Sequence, residues 1–193
     1  MSKYVPAIII GLVAGFAMSF LIRVFVFPEG PAPIVYGAGT GIFFAYILAN
    51  LAGNKKEATA TAAQKQEALR FSPPMGKSLL VVYREGFVGK LAGLNLALDG
   101  REFAQIKSPR FTCLAVPAGA HTLTCAFGGL AGPQSRAGSY AFETTPGGVT
   151  VVGIGAQMGL VQGSFKFTIE PDLAKAKSKL DYFPMVPAEP AEI

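Results

Sequence analysis

The chain has one histidine, two cysteines and little charge: Asp, Glu, Lys and Arg make up 15% of its 193 residues, against 51% hydrophobic. A lone histidine, His121, leaves little for acid-base catalysis. There is no HExxH zinc motif, no Ser-His-Asp set and no paired carboxylates, so neither an enzyme nor a bound cofactor is expected. The net charge of +5 is modest and no basic stripe interleaved with aromatics occurs, which argues against a nucleic-acid partner. The first apolar run is followed by no small-x-small cleavage site and no lipobox cysteine lies near the start, so neither a cleaved signal nor a lipid anchor is expected.

The apolar residues are concentrated early. Val5 to Phe27 contains one charge, Arg23, and Ile34 to Ala52 contains none. Each run matches the roughly 20 residues needed to cross a hydrocarbon core of about 30 Å. Residues 1–53 are therefore expected to form a transmembrane helical hairpin with spans at 5–27 and 34–52. Lys3 precedes the first run, Lys55, Lys56, Lys65 and Arg70 follow the second, and the intervening loop carries only Glu29. That distribution puts both termini in the cytoplasm, as in a multi-pass protein of a bacterial inner membrane, with a periplasmic domain as the alternative. Arg23 is then an interfacial anchor whose head snorkels outward. Gly11 and Gly15 in the first run, and Gly37 and Gly41 in the second, have the spacing that lets membrane helices approach closely.

Residues 54–76 turn abruptly to alanine, threonine and charge, a linker or marginal helix whose lysines are suited to lipid headgroups. From residue 77, short apolar runs alternate with turn residues at the spacing of an all-β domain. Strands are expected at 78–84, 94–98, 102–106, 111–116, 121–127, 139–144, 149–158 and 164–170, with a two-residue turn at Asp99-Gly100. They predict a β-sandwich of seven or eight strands, closed by a short helix over 171–180 that starts with Pro171 and Asp172 and ends in lysines. Residues 181–193 form a Pro-rich tail, either free, laid on a partner, or docked on the sandwich through Tyr182 and Phe183.

Both cysteines and the histidine fall within FTCLAVPAGAHTLTC, 111–125. Read as a hairpin centred on Gly119, this stretch sets Cys113 opposite Cys125 and leaves His121 roughly 13 Å away along the ladder at about 3.3 Å per residue. The spacing fits no common zinc motif, so metal binding is not expected. Facing thiols packed as small apolar groups and a cross-strand disulfide both remain open, the outcome depending on the compartment. Arg84 and Glu85 read as an exposed charge pair at a strand end, with ligand contact as the sharper alternative. The glycine-rich 128–138 segment follows a strand without opening a helix, so it is not a phosphate loop, and Arg136 at its tip reads as solvated.

Tyr83-Arg84, Gly89, Asp99-Gly100, Pro117, Gly119, His121 and Gly147-Gly148 together make residues 77–180 resemble a bacterial family of small lipoprotein-like domains of unknown function. The resemblance implies an immunoglobulin-like or transthyretin-like sandwich and no enzymatic activity. Two departures bear on what it implies about compartment: two expected membrane spans stand where the lipid tether would be, and the family's "PG-x-H" becomes Pro117-Ala118-Gly119-Ala120-His121, which shifts the turn by one residue.

The resulting expectation is a non-enzymatic, membrane-anchored interaction module, an accessory or assembly subunit of a larger inner-membrane complex that contacts lipid and other membrane subunits. The alternative is a periplasm-facing domain that binds a small ligand or envelope polymer through Tyr83, Arg84, Arg136 and the 128–138 loop.

Overall fold

The computed structural model describes residues 5–26, 33–52, 58–129, 132, 135–159 and 162–189. They form two compact units, divided between Asn54 and Lys55. The first unit is a pair of packed helices, α1 (Val5–Phe25) and α2 (Pro33–Ala52). At about 1.5 Å per residue, the 21 residues of α1 span roughly 30 Å, and its Ile8–Phe25 segment has a mean hydropathy of 2.3. This one helix is long and apolar enough to cross a membrane. Most of its large apolar side chains are exposed, unlike those of a core helix in a water-soluble domain. Of the expected two-span hairpin, the described residues show one helix of spanning length, packed against a second. In α2 the described apolar stretch is Ala38–Ala49.

The two helices meet through small residues. A Cβ on Gly11 would lie 2.4 Å from the Cα of Ala45, and one on Gly41 would sit 3.6 Å from the Cα of Gly15. Gly37 belongs to α2, but its packing lies outside the described residues. Arg23 is exposed in the last turn of α1, where a cation suits the negative end of the helix dipole.

The second unit is a β-sandwich with helices on one face. Its elements in order are α3 (Ala62–Ala68), β1 (Lys77–Glu85), β2 (Leu94–Leu98), β3 (Arg101–Ile106), β4 (Arg110–Pro117), β5 (Gly119–Phe127), β6 (Gly138–Thr144), β7 (Val149–Gln157), β8 (Ser164–Ile169) and α4 (Leu173–Leu180). One sheet has the order β4-β1-β7-β8 and the other β3-β2-β5-β6. All pairings are antiparallel except β1 with β7. The β2–β3 turn is the expected one: Asp99 and Gly100 have φ of 49° and 83°, the positive values that match the twist of a hairpin.

Between the sheets lie Leu80 and Val82 of β1, Leu94, Leu96 and Leu98 of β2, Phe103, Leu123, Val152 and Ile154. A second apolar layer covers the outer face of the first sheet. There Leu79, Val81, Tyr83, Phe111 and Val151 meet Leu69 after α3 and Ala176 and Leu180 of α4. Strand β1 is thus buried on both faces, which is why SLLVVYR shows no polar alternation.

Both short helices carry their own start signals. Thr61 and Gln64 form a reciprocal capping box for α3, and the Asp172 carboxylate accepts from the Ala174 and Lys175 N–H groups of α4. The chain then returns along the β4 edge. Phe111 N–H donates to Pro184 O at 3.2 Å, Val186 N–H to Phe111 O at 2.8 Å and Glu189 N–H to Phe103 O at 2.8 Å, which seats Met185 and Val186 as buried residues. Of the tail 181–193, residues 181–189 are described, and they are docked on their own sandwich.

Candidate functional site

The stretch 111–125 is not a hairpin. Strand β4 pairs with β1 in one sheet and β5 pairs with β2 and β6 in the other, so Pro117 to Gly119 carry the chain from sheet to sheet. Cys113 lies opposite Val81 and joins the outer apolar layer, whereas Cys125 lies opposite Leu96 in the sandwich core. The expected facing cysteines are therefore separated, and both thiols are free. The short Pro117–Gly119 connection is a crossing and not a reversal, because β4 and β5 carry apolar residues that serve two facing sheets.

Burial pushes the Cys113 thiol up to about 12; the Cys125 thiol reaches about 12 as well, although the Gly138 N–H and the Arg84 charge oppose the rise. Maleimide at neutral pH is expected to leave both thiols of the folded protein unmodified while labelling both in the urea-unfolded chain. Rapid labelling of the native state, or an intramolecular disulfide after mild oxidation, would contradict the separated arrangement.

His121 is engaged on both ring nitrogens. Nδ1 lies 2.7 Å from an Asp99 carboxylate oxygen, and Nε2 lies 2.9 Å from the Pro117 carbonyl, which can only accept. Two acceptors facing both nitrogens favour the imidazolium. The other Asp99 oxygen accepts from Thr122 N–H at 2.7 Å, and the Thr144 hydroxyl donates to Pro117 O at 2.9 Å. The group ties the β2–β3 turn to the crossing between sheets. It has no free nitrogen to offer a substrate.

Burial alone would lower the His121 pKa, but the Asp99 hydrogen bond, the Pro117 carbonyl and the Asp99 charge outweigh it and hold the pKa above 6.5. For Asp99, burial acts upward, and the bonds from His121 and Thr122 with the imidazolium charge hold the carboxyl below 3.8. The histidine contribution to stability is complete below its unfolded value and fades as pH rises through the raised folded value. The aspartate contribution is present above its unfolded value and fades on acidification. Asp99→Asn should therefore lower the thermal midpoint more at about pH 5.5 than at about pH 9. Equal losses at both would show that the ion pair contributes nothing.

Arg84 differs most from its sequence reading. It is 1% exposed and does not pair with Glu85, which instead meets Lys179 at 2.8 Å. Its guanidinium points between the sheets and donates to Gly89 O at 2.6 Å, Ala92 O at 2.7 Å, and Val88 O and Ile106 O at 3.4 Å each. It also lies 5.0 Å from the Phe127 ring centroid, a cation-π contact. Burial pulls its pKa down to about 10, which leaves it charged at neutral pH. Gly89, at φ 62°, admits this arrangement: a Cβ there would lie 2.6 Å from Phe127 Cζ and 3.2 Å from an Arg84 nitrogen. Arg84 thus organises the loop from Gly86 to Gly93.

Tyr83, one residue earlier, points to the opposite face, as alternation requires. Its ring lies in the outer layer beside Phe183, with Lys179 Nζ 4.8 Å from its centroid. Tyr83 and Arg84 therefore cannot line one ligand site. Arg136 is exposed and donates to the Gln162 side-chain oxygen at 3.0 Å.

Sequence reading missed an aromatic seam. Tyr140 and Phe142 of β6 face Phe165 and Phe167 of β8 where the two sheets' end strands approach each other. Tyr140 stacks on Phe167 at 5.7 Å and on Phe142 at 6.2 Å, and Phe127 meets Phe165 at 5.1 Å. All five rings are half-buried. The signal was the i, i+2 placement of aromatics in SYAFET and SFKFTIE, which puts each pair on one strand face. The outer flanks of β6 and β8 carry no strand partner among the described residues. Nor does any group of three or more His, Cys, Asp or Glu with metal-binding geometry occur among them. No protein-family model matches the chain, and no curated protein matches it.

Proposed function

We propose that this protein is a non-enzymatic interaction module held at a bacterial inner membrane, an accessory or assembly subunit that presents an immunoglobulin-like or transthyretin-like sandwich to a protein partner. The observation that carries this reading is the asymmetry of the sandwich flanks. The β4 and β3 side is closed by the chain's own residues 184–189, whereas β6 and β8 end their sheets with no strand partner among the described residues, around a half-exposed aromatic seam. Unpaired edge strands are templates for an added strand, and aromatic rings supply contact area at low entropy cost. The chain's chemically versatile side chains are meanwhile engaged internally: His121 in its latch, Arg84 in its loop, the two thiols in separate apolar layers.

Helix α1 supplies the anchor, and α2 is read as its companion in a two-span arrangement with cytoplasmic termini, in keeping with the Lys and Arg distribution. The ligand-binding alternative loses its support, because Tyr83 and Arg84 point to opposite faces. Purification in mild detergent followed by mass spectrometry tests the proposal. A stoichiometric membrane-protein companion is the expected result, and a clean monomer weighs against it.

A further inference from the structure

The loops at one end of the sandwich present apolar side chains on a fixed support. Strands β1 and β7 finish there, since Glu85 lies beside Gly155, and so do β3 and β5, since Leu94 pairs with both Ile106 and Phe127. The connecting loops are bonded to one another: Gly128 N–H to Gly93 O at 2.9 Å, the Ser108 hydroxyl to Gly86 O at 2.8 Å, Arg136 N–H to Gly163 O at 3.2 Å. On this end Phe87 is 87% exposed, Met158 83% and Leu91 64%.

In the 86–93 loop the exposure follows from Arg84. The guanidinium turns the carbonyls of Val88, Gly89 and Ala92 inward, and Phe87 and Leu91 are left outside. Large apolar side chains on a braced loop are suited to a surface that covers them. The charges indicate which surface. The described loop residues 86–93, 107–109, 135–137 and 158–159 contain Lys90, Lys107 and Arg136 and no Asp or Glu, and the strand-end carboxylate of Glu85 is paired with Lys179.

The geometry points to this end of the sandwich as a lipid-docking surface, with Phe87, Leu91 and Met158 entering the headgroup boundary of an anionic bilayer and Lys90 and Lys107 meeting its headgroups. The occupant is lipid because the same chain carries an apolar helix long enough to cross a bilayer, and because cationic loops complement anionic headgroups. The inference rests on the anchored reading above.

The test uses the full chain reconstituted into phosphatidylcholine vesicles with anionic phosphatidylglycerol. Single cysteines at Phe87→Cys, Met158→Cys, Thr145→Cys at the opposite end of the sandwich, and Phe16→Cys in α1 are labelled with an environment-sensitive fluorophore. The variants are made in a background with Cys113→Ala and Cys125→Ala, so labelling goes to the introduced site. Quenching by spin-labelled lipid is expected at 16, 87 and 158 and not at 145. Lys90→Glu with Lys107→Glu should weaken it about threefold at 87 without changing it at 16. Quenching at 16 without quenching at 87 and 158 overturns the docking surface and leaves the anchor intact. Equal quenching at 87 and 145 overturns it as non-specific. No quenching at 16 removes the anchor reading, and the inference with it.

Discussion

Replacing Arg84 with alanine should lower the thermal midpoint of the sandwich by about 10 °C, the equivalent of about 3 kcal/mol at roughly 3 °C per kcal/mol. The magnitude follows from what the side chain leaves behind. Four backbone carbonyls lose a charged donor, and the space beside Phe127 empties. A buried acceptor without a partner costs about 1 to 3 kcal/mol. Water entering the vacated space satisfies some of the four, so the sum stays well below the naive total. Arg84→Lys keeps the charge but not the planar fork, and should fall between wild type and alanine. Unfolding followed by the β-sheet circular dichroism signal checks this. A midpoint shift of less than about 2 °C for the alanine variant would remove Arg84 from its organising role.

Truncation after Phe183 is the second large effect. It removes Met185 and Val186, each worth about 1.5 to 3 kcal/mol of burial. It also removes the hydrogen bonds from Phe111 N–H to Pro184 O, Val186 N–H to Phe111 O, Ala60 N–H to Met185 O and Glu189 N–H to Phe103 O. A loss of about 4 kcal/mol is expected in urea, with a shift in midpoint and increased self-association as the β4 edge is bared. Val186→Asp in the full-length chain should reproduce most of the stability loss, because it buries a charge among core residues without a partner. If the truncated chain unfolds at the same urea concentration as the intact one, the segment is an ornament and the flanks of the sandwich are equivalent.

The parts of this fold written locally were legible. Short apolar runs between turn residues located all eight strands to within one or two residues, Asp99-Gly100 marked its hairpin, and Pro171-Asp172 with terminal lysines marked α4. What was not legible depends on pairing between distant segments. Pro117-Ala118-Gly119 reads the same whether the chain reverses within a sheet or crosses to the other, so the partnership of Cys113 and Cys125 came out wrong. Arg84 read as exposed because an arginine at a strand end usually is, and the ring of carbonyls that receives it is backbone, which no side-chain pattern encodes. Leu79, Val81 and Tyr83 carried a readable hint in their unbroken apolar run, which implies cover on both faces. The aromatic pairs of β6 and β8 were visible as i, i+2 repeats, but their meeting required knowing that these strands end two opposed sheets.

We propose that the β6–β8 flank, and not the flank closed by residues 184–189, meets a protein partner. A photo-activatable amino acid placed in cells at Lys166 on β8, or at Ala141 on β6, tests it against the same residue placed at Glu102 on β3; all three positions are exposed. A discrete cross-linked species is expected from 166 and 141 and none from 102. Cross-linking from 102 alone, or none from either flank, would contradict it.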